Sequence, residues 1–172
     1  MTSKTKECFE PPLNNNLTMD ELYKYFSKEV QTQELYLFGN AVKFFSGLHI
    51  TSTSMYPECF YHITTKKDKK TGLRIEEKRR FYINHIVPMI KHIEDCKNCD
   101  NDNCSKIKMW SKPHNNRITR TKLLYIGDTY NYMIILENDH KNKNQLNVVT
   151  SYLGNEEWFL KTTLAEYNKY KK

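Results

Sequence analysis

Arg117-Ile-Thr-Arg-Thr-Lys-Leu-Leu-Tyr-Ile126, Tyr130-Asn-Tyr-Met-Ile-Ile-Leu136 and Gln145-Leu-Asn-Val-Val-Thr-Ser-Tyr152 set the fold class. Each run is rich in β-branched and aromatic residues, which suit a pleated, half-buried surface. Gly127-Asp128 supplies a turn between the first two, and the polar stretch 137–144 separates the second from the third. Tyr130, Tyr132, Ile134 and Leu136 alternate, so they share one face of a strand. With a short strand at Ile107–Trp110, the pattern predicts a four-stranded antiparallel meander.

Working outward, Ile83, Ile86, Val87, Ile90 and Ile93 form an apolar stripe at helical spacing. They predict a helix over about 75–93, kinked at Pro88 because proline cannot donate to the carbonyl of Asn84. Nearer the start, Thr18-x-x-Glu21 is a capping-box signature ahead of Leu22, Tyr25 and Phe26. Leu37, Phe38, Ala41, Val42 and Phe45 fit a second helix, interrupted by Gly39. Cys59-Phe-Tyr-His-Ile-Thr-Thr65 is aromatic and β-branched and predicts a short strand, with Lys66–Gly72 as a polar connector. Trp158, Leu160, Leu164 and Tyr167 predict a closing helix over 156–170. The expected class is α+β: N-terminal helices, then a four-stranded antiparallel sheet and a C-terminal helix. Residues 1–17 are expected to be a flexible tail, 18–57 a helical N-terminal layer, and 58–172 the α+β domain, with a Cys-rich loop at 92–105.

The chain has 172 residues, 27 Lys and Arg against 20 Asp and Glu, and a formal net charge of +7. No apolar run approaches the roughly 18 residues of a membrane-spanning helix. The first residues also lack the apolar core of a secretion signal, so a cytoplasmic protein with no membrane partner is expected. The excess charge is concentrated. Lys66, Lys67, Lys69, Lys70, Arg74, Lys78, Arg79 and Arg80 outnumber Asp68, Glu76 and Glu77, and 105–125 carries Lys106, Lys108, Lys112, Arg117, Arg120 and Lys122 with no acid. Two basic blocks interleaved with Tyr82, Trp110 and Tyr125 suit a polyanion, above all nucleic acid, on whose bases the rings would stack. A merely solvated Lys-rich surface is the alternative.

His92, Cys96, Cys99 and Cys104 lie at His-x3-Cys-x2-Cys-x4-Cys spacing. Four such ligands fit a tetrahedral structural zinc site, since all four positions would be filled; a polar loop that merely contains cysteines is the other reading. Cys59, beside aromatic residues, reads as a small core residue.

No phosphate-binding glycine loop, dinucleotide fingerprint or His-Glu-x-x-His motif is present, which removes the usual hardware for nucleotide hydrolysis, dinucleotide redox and zinc-protease chemistry. Asp128, Glu137 and Asp139 sit around turns rather than in a magnesium-holding cluster. What remains suits RNA cleavage without a catalytic cofactor, because RNA carries its own nucleophile, the 2′-hydroxyl. The protein then supplies an acid or base and cations for the phosphorane. His62 is the candidate acid or base, with Thr64 or Thr65 as neighbouring donor. Arg117, Arg120 and Lys122 are the candidate phosphate clamps, Arg117 having the opposite strand parity to the other two. Tyr125, Thr150 and Tyr152 would border the cleft, and Lys106, Lys108 and Trp110 would extend it along RNA. His85 reads as structural.

The helix with Ile83, Ile86, Pro88, Ile90 and Glu94, then Arg117-Ile118, Tyr132-Met-Ile-Ile-Leu136 and Leu146-Asn-Val-Val-Thr-Ser-Tyr152, resembles phage-borne members of the barnase/EndoU/colicin/RelE-like nuclease superfamily. The resemblance spans about Phe60 to Tyr152. It implies N-terminal helices followed by a four-stranded antiparallel sheet, and a small ribonuclease of the kind found as a toxin or phage-associated effector, sometimes paired with an acidic antitoxin. By position, His62, Arg117 and Thr150 match the family's polar landmarks. The readings carried forward are a metal-independent endoribonuclease, a non-catalytic phage or mobile-element protein that binds nucleic acid or an acidic host protein, and a zinc-stabilised adaptor.

Overall fold

A computed structural model describes residues 11–45, 56–95, 107–127 and 129–171. Helix α1 (Met19–Tyr25) opens on the expected capping box, in which the Thr18 side chain accepts from the Glu21 N–H and Glu21 accepts in return from the Thr18 N–H. Its last turn widens into a π turn over Phe26–Val30. A hairpin of β1 (Leu35–Leu37) and β2 (Asn40–Phe44) follows. After α2 (Glu58–Thr64) come β3 (Thr65–Lys67) and β4 (Arg74–Glu76), which pair with each other. A 3-10 segment, Lys78–His85, runs into α3 (Ile86–Asp95). Strands β5 (Ile107–Pro113), β6 (Thr119–Ile126), β7 (Asn131–Asn138) and β8 (Gln145–Leu153) then form the expected meander, and α4 (Glu157–Tyr170) closes the chain.

The sheet is not the four-stranded antiparallel one expected. It has six strands in the order β1-β2-β8-β7-β6-β5, and β2 lies parallel to β8. The difference lies at 37–45, where a hairpin stands in place of the expected helix. Leu35 and Leu37 on one side of Phe38-Gly39, and Val42 and Phe44 on the other, alternate as two strands and are all buried. Both turn residues have positive φ, 49° at Phe38 and 79° at Gly39, the geometry of a two-residue primed hairpin turn. The glycine that interrupts a helical reading is thus the signal for the turn.

Two further elements differ from expectation. Residues 58–64 are helical rather than extended: Pro57 precedes the first turn, and Cys59, Phe60, Ile63 and Thr64 are buried on one helix face. Phe60 sits in a nest with Tyr23, Phe26 and Tyr56, and burying such a ring stabilises the fold by roughly 1.5–3 kcal/mol, more than local β preference opposes. The helix expected over 75–93 is divided. Pro88 is the third residue of α3, in a first turn whose N–H groups are dispensable, and the 3-10 segment precedes it. Residues 11–17, expected to be tail, are tied down: Leu13 N–H donates to the Phe81 carbonyl at 2.8 Å, and the Asn84 amide to the Pro11 carbonyl at 2.9 Å.

Both faces of the sheet are covered. Leu123, Tyr125, Tyr132, Ile134, Leu136 and Val148 pack under α1, α2 and α3, together with Leu22, Phe26, Phe60, Ile86 and Ile90. On the other face Trp110, Leu124, Met133 and Ile135 meet Phe159, Leu160 and Leu164 of α4. Gly154 permits this closure, because a Cβ there would lie 1.9 Å from the Phe159 ring. Among the described residues no helix is long and apolar enough to cross a membrane.

Candidate active site

Strand β8 is paired to β2 only through Val148, so its later half would present a bare edge. The junction of α2 and β3 covers it. The Thr150 hydroxyl donates to the His62 carbonyl at 2.9 Å. Arg79, which is buried, donates to the Ser151 carbonyl at 2.7 Å and also to the Thr65 carbonyl. Burial lowers the Arg79 guanidinium from its ordinary value, opposed by the nearby Glu77 carboxylate. The Thr64 and Thr65 hydroxyls donate back to the Phe60 and Tyr61 carbonyls at 2.7 and 2.6 Å, closing the last turn of α2.

With Phe60 and Ile63 buried, the other side of α2 carries Glu58 and His62, one turn apart. His62 Nε2 is 3.4 Å from Glu58 Oε1, and the His62 side chain is 33% exposed. The chain then runs through the β3–β4 hairpin, whose turn is held by Asp68 accepting from the Lys70 N–H at 3.1 Å and from the Thr71 hydroxyl at 2.9 Å. Register pairs Lys67 with Arg74. The Arg74 guanidinium reaches back to the imidazole, 3.0 Å from Nε2 and 3.3 Å from Nδ1, and donates to the Thr65 hydroxyl at 3.3 Å. Burial lowers Arg74 from its ordinary value and Glu58 opposes that shift. An imidazole, a carboxylate and a guanidinium therefore converge at a half-exposed place beside a lysine-rich hairpin. A neutral ring nitrogen there accepts from Arg74; a protonated one donates to Glu58.

The structure unites His62 with Thr150, though through the His62 backbone, and it places the other expected residues elsewhere. Arg120 and Lys122 face the α4 side of the sheet, opposite to α2. Arg120 pairs with Glu137 at 2.7 Å, and Lys122 with Glu166 at 2.7 Å. Trp110, expected to stack on bases, is 2% exposed and donates its indole N–H to Glu166 at 2.8 Å. Tyr125 is buried against His85 and Tyr130, and Thr64 is fully buried, so neither presents a surface to substrate. Tyr152 packs on Phe159, and the Lys108 ammonium lies over the Tyr167 ring at 5.5 Å. Arg117 precedes β6 and, with Asn115, Asn116, Ile118 and His140, lines a shallow depression of about 680 Å3. His92 is half-buried on the last turn of α3; Cys96, Cys99, Cys104 and Lys106 lie outside the described residues. Among the described residues no three or more His, Cys, Asp or Glu side chains are grouped to hold a metal ion. Cys59 is buried, and burial pushes its thiol up to about 12, as suits a core residue.

Sequence reasoning passed over Glu58, Arg74 and Arg79. A helical reading of 58–64 would have exposed the first, since Glu58 and His62 stand at i,i+4 spacing. Arg74 was visible only as one member of a basic block. No protein-family model, curated protein or solved structure matches the chain.

Proposed function

We propose that the protein is an endoribonuclease that needs no metal for catalysis, with His62 and Arg74 at its reacting centre. The observation that carries this reading is the position of His62 Nε2, 3.0 Å from a guanidinium nitrogen and 3.4 Å from a carboxylate oxygen. His62 takes the proton from a 2′-hydroxyl, and Glu58 steadies the imidazolium that forms. The 2′-oxygen bonds to phosphorus, the bond from phosphorus to the 5′-oxygen breaks, and that oxygen takes a proton from a water molecule, which is made good by the His62 imidazolium, so the ring returns to its neutral form. Arg74 turns to the non-bridging oxygens, where charge grows in the transition state. Thr150 is a positioning residue acting through the His62 carbonyl. Arg120 and Lys122 have no part in this centre, because carboxylates already hold them on the far side of the sheet.

Lys66, Lys67, Lys69 and Lys70 on the adjacent hairpin give a polyanion its first contacts. Their contribution would appear as a log–log salt slope of about −0.7 per contacted phosphate of a single strand. The test is to incubate a mixed RNA pool with the protein in EDTA and to identify the new ends. Fragments ending in 2′,3′-cyclic phosphate support the proposal. RNA that is bound in a salt-dependent way but stays intact would overturn it in favour of a non-catalytic nucleic-acid binder.

A further inference from the structure

Three donors converge on one carboxylate beneath α4. Glu166 accepts from the Lys112 ammonium at 2.5 Å, from the Lys122 ammonium at 2.7 Å and from the Trp110 indole N–H at 2.8 Å. Lys122 also lies over the Trp110 ring, 5.9 Å from its centroid. Trp110 and Lys122 face each other across the β5–β6 ladder, so two rigid strands rather than a loop arrange the donors. Two ammonium groups and an indole N–H directed at a single pair of oxygens are the hardware of a phosphate site, with an aromatic plane beside it. What fills it is a side chain of the last helix.

That helix covers the second apolar face of the sheet through one buried ring and several half-buried side chains. Phe159 is its buried residue, while Leu160, Leu164, Tyr167 and Tyr170 are only partly covered, and Trp158 is 65% exposed. Among the described residues, the carboxylate of Glu166 makes its hydrogen bonds to the strands, and the Tyr167 ring lies under the Lys108 ammonium. The charges of Lys112 and Lys122, whose side chains are 27% and 15% exposed, would be costly to bury without that partner.

We infer that Lys112, Lys122 and Trp110 form a second phosphate-binding subsite for RNA, which α4 occupies in cis through Glu166 and yields when a strand binds. The inference rests on the nucleic-acid reading above and adds a site remote from His62. Displacement exchanges one carboxylate for one phosphate, so the lysines never lie bare, and the affinity of the whole protein for RNA is held down while α4 is docked.

Binding of a fluorescein-labelled oligouridylate, followed by anisotropy over a salt series, tests it on the full chain. Glu166→Gln should bind roughly tenfold tighter at low salt, because no docked carboxylate competes with the strand for Lys112 and Lys122. Adding Lys112→Gln and Lys122→Gln to that variant should abolish the gain. A measurement on the wild type guards against misfolding of the variants: saturating oligouridylate should remove hydrogen-exchange protection from the amides of α4. Wild-type binding with protection of α4 unchanged, or a Glu166→Gln protein that binds no tighter, would overturn the inference and leave the His62 proposal standing. Absence of binding by every protein at low salt would overturn both.

Discussion

His85 is 1% exposed, with Nε2 2.6 Å from the Tyr130 hydroxyl and Nδ1 2.8 Å from the Asn84 amide oxygen. Burial pulls its pKa down from 6.5 to about 4, against a weaker opposing bond from the backbone at Tyr82. The unfolded chain therefore binds the proton more readily than the folded one. The stability attached to neutral His85 is complete above pH 6.5 and drains away as pH falls to about 4. The full change is about 3 kcal/mol. His85→Phe should lose most of this acid dependence, whatever its effect at neutral pH, and urea midpoints measured across that interval decide the matter. An equal slope in the variant would mean that His85 is not the group that titrates. Glu166 answers in a lower interval that meets the first near pH 4. Burial raises it, but the bonds from Lys112, Lys122 and Trp110 outweigh that and hold it at about 2, so its contribution is lost only below pH 4.5. At this scale the sequence was informative about type and not about company. His62 stood out as the histidine beside polar donors, and His85 as structural. The partners of His62 come from a helix turn and a hairpin register that no local pattern revealed.

At the scale of elements, two glycines illustrate different constraints. Gly39 has φ 79° and open space where a Cβ would go, whereas Gly154 would drive a Cβ into Phe159. Gly39→Ala should therefore cost about 1 kcal/mol, from backbone strain alone. Gly154→Ala should cost roughly 1–3 kcal/mol or more, because the ring must shift and α4 with it. Equilibrium denaturation ranks the two, and the expected order is reversed if α4 docks without using the Phe159 contact. The meander β5–β8 was legible because alternation and turn residues are local signals. The β1–β2 hairpin was misread because a short run containing Leu37, Ala41 and Val42 satisfies helical spacing as well as alternation. Helix α2 was misread because its aromatic and β-branched residues favour strand locally. The burial of Phe60 and Ile63, which involves residues far away in the chain, overrides them.

For the whole molecule, the parallel pairing of β2 with β8 joins residues about a hundred positions apart, which leaves no trace in periodicity. That pairing stops at Val148, and the α2–β3 junction takes over the remaining edge of β8 and brings His62, with Arg74, to the surface. The charge blocks also divide by location. The first lies beside His62 on the β3–β4 hairpin, while much of the second is neutralised by Glu137 and Glu166 under α4. Whether His62 with Arg74 cleaves RNA is decided by single-turnover cleavage by wild type, His62→Ala and Arg74→Ala in EDTA. His62→Ala should slow cleavage at least ~100-fold with RNA affinity nearly unchanged, and Arg74→Ala should lower both rate and affinity. Equal rates for wild type and His62→Ala, or no cleavage of any RNA by the wild type, would contradict it.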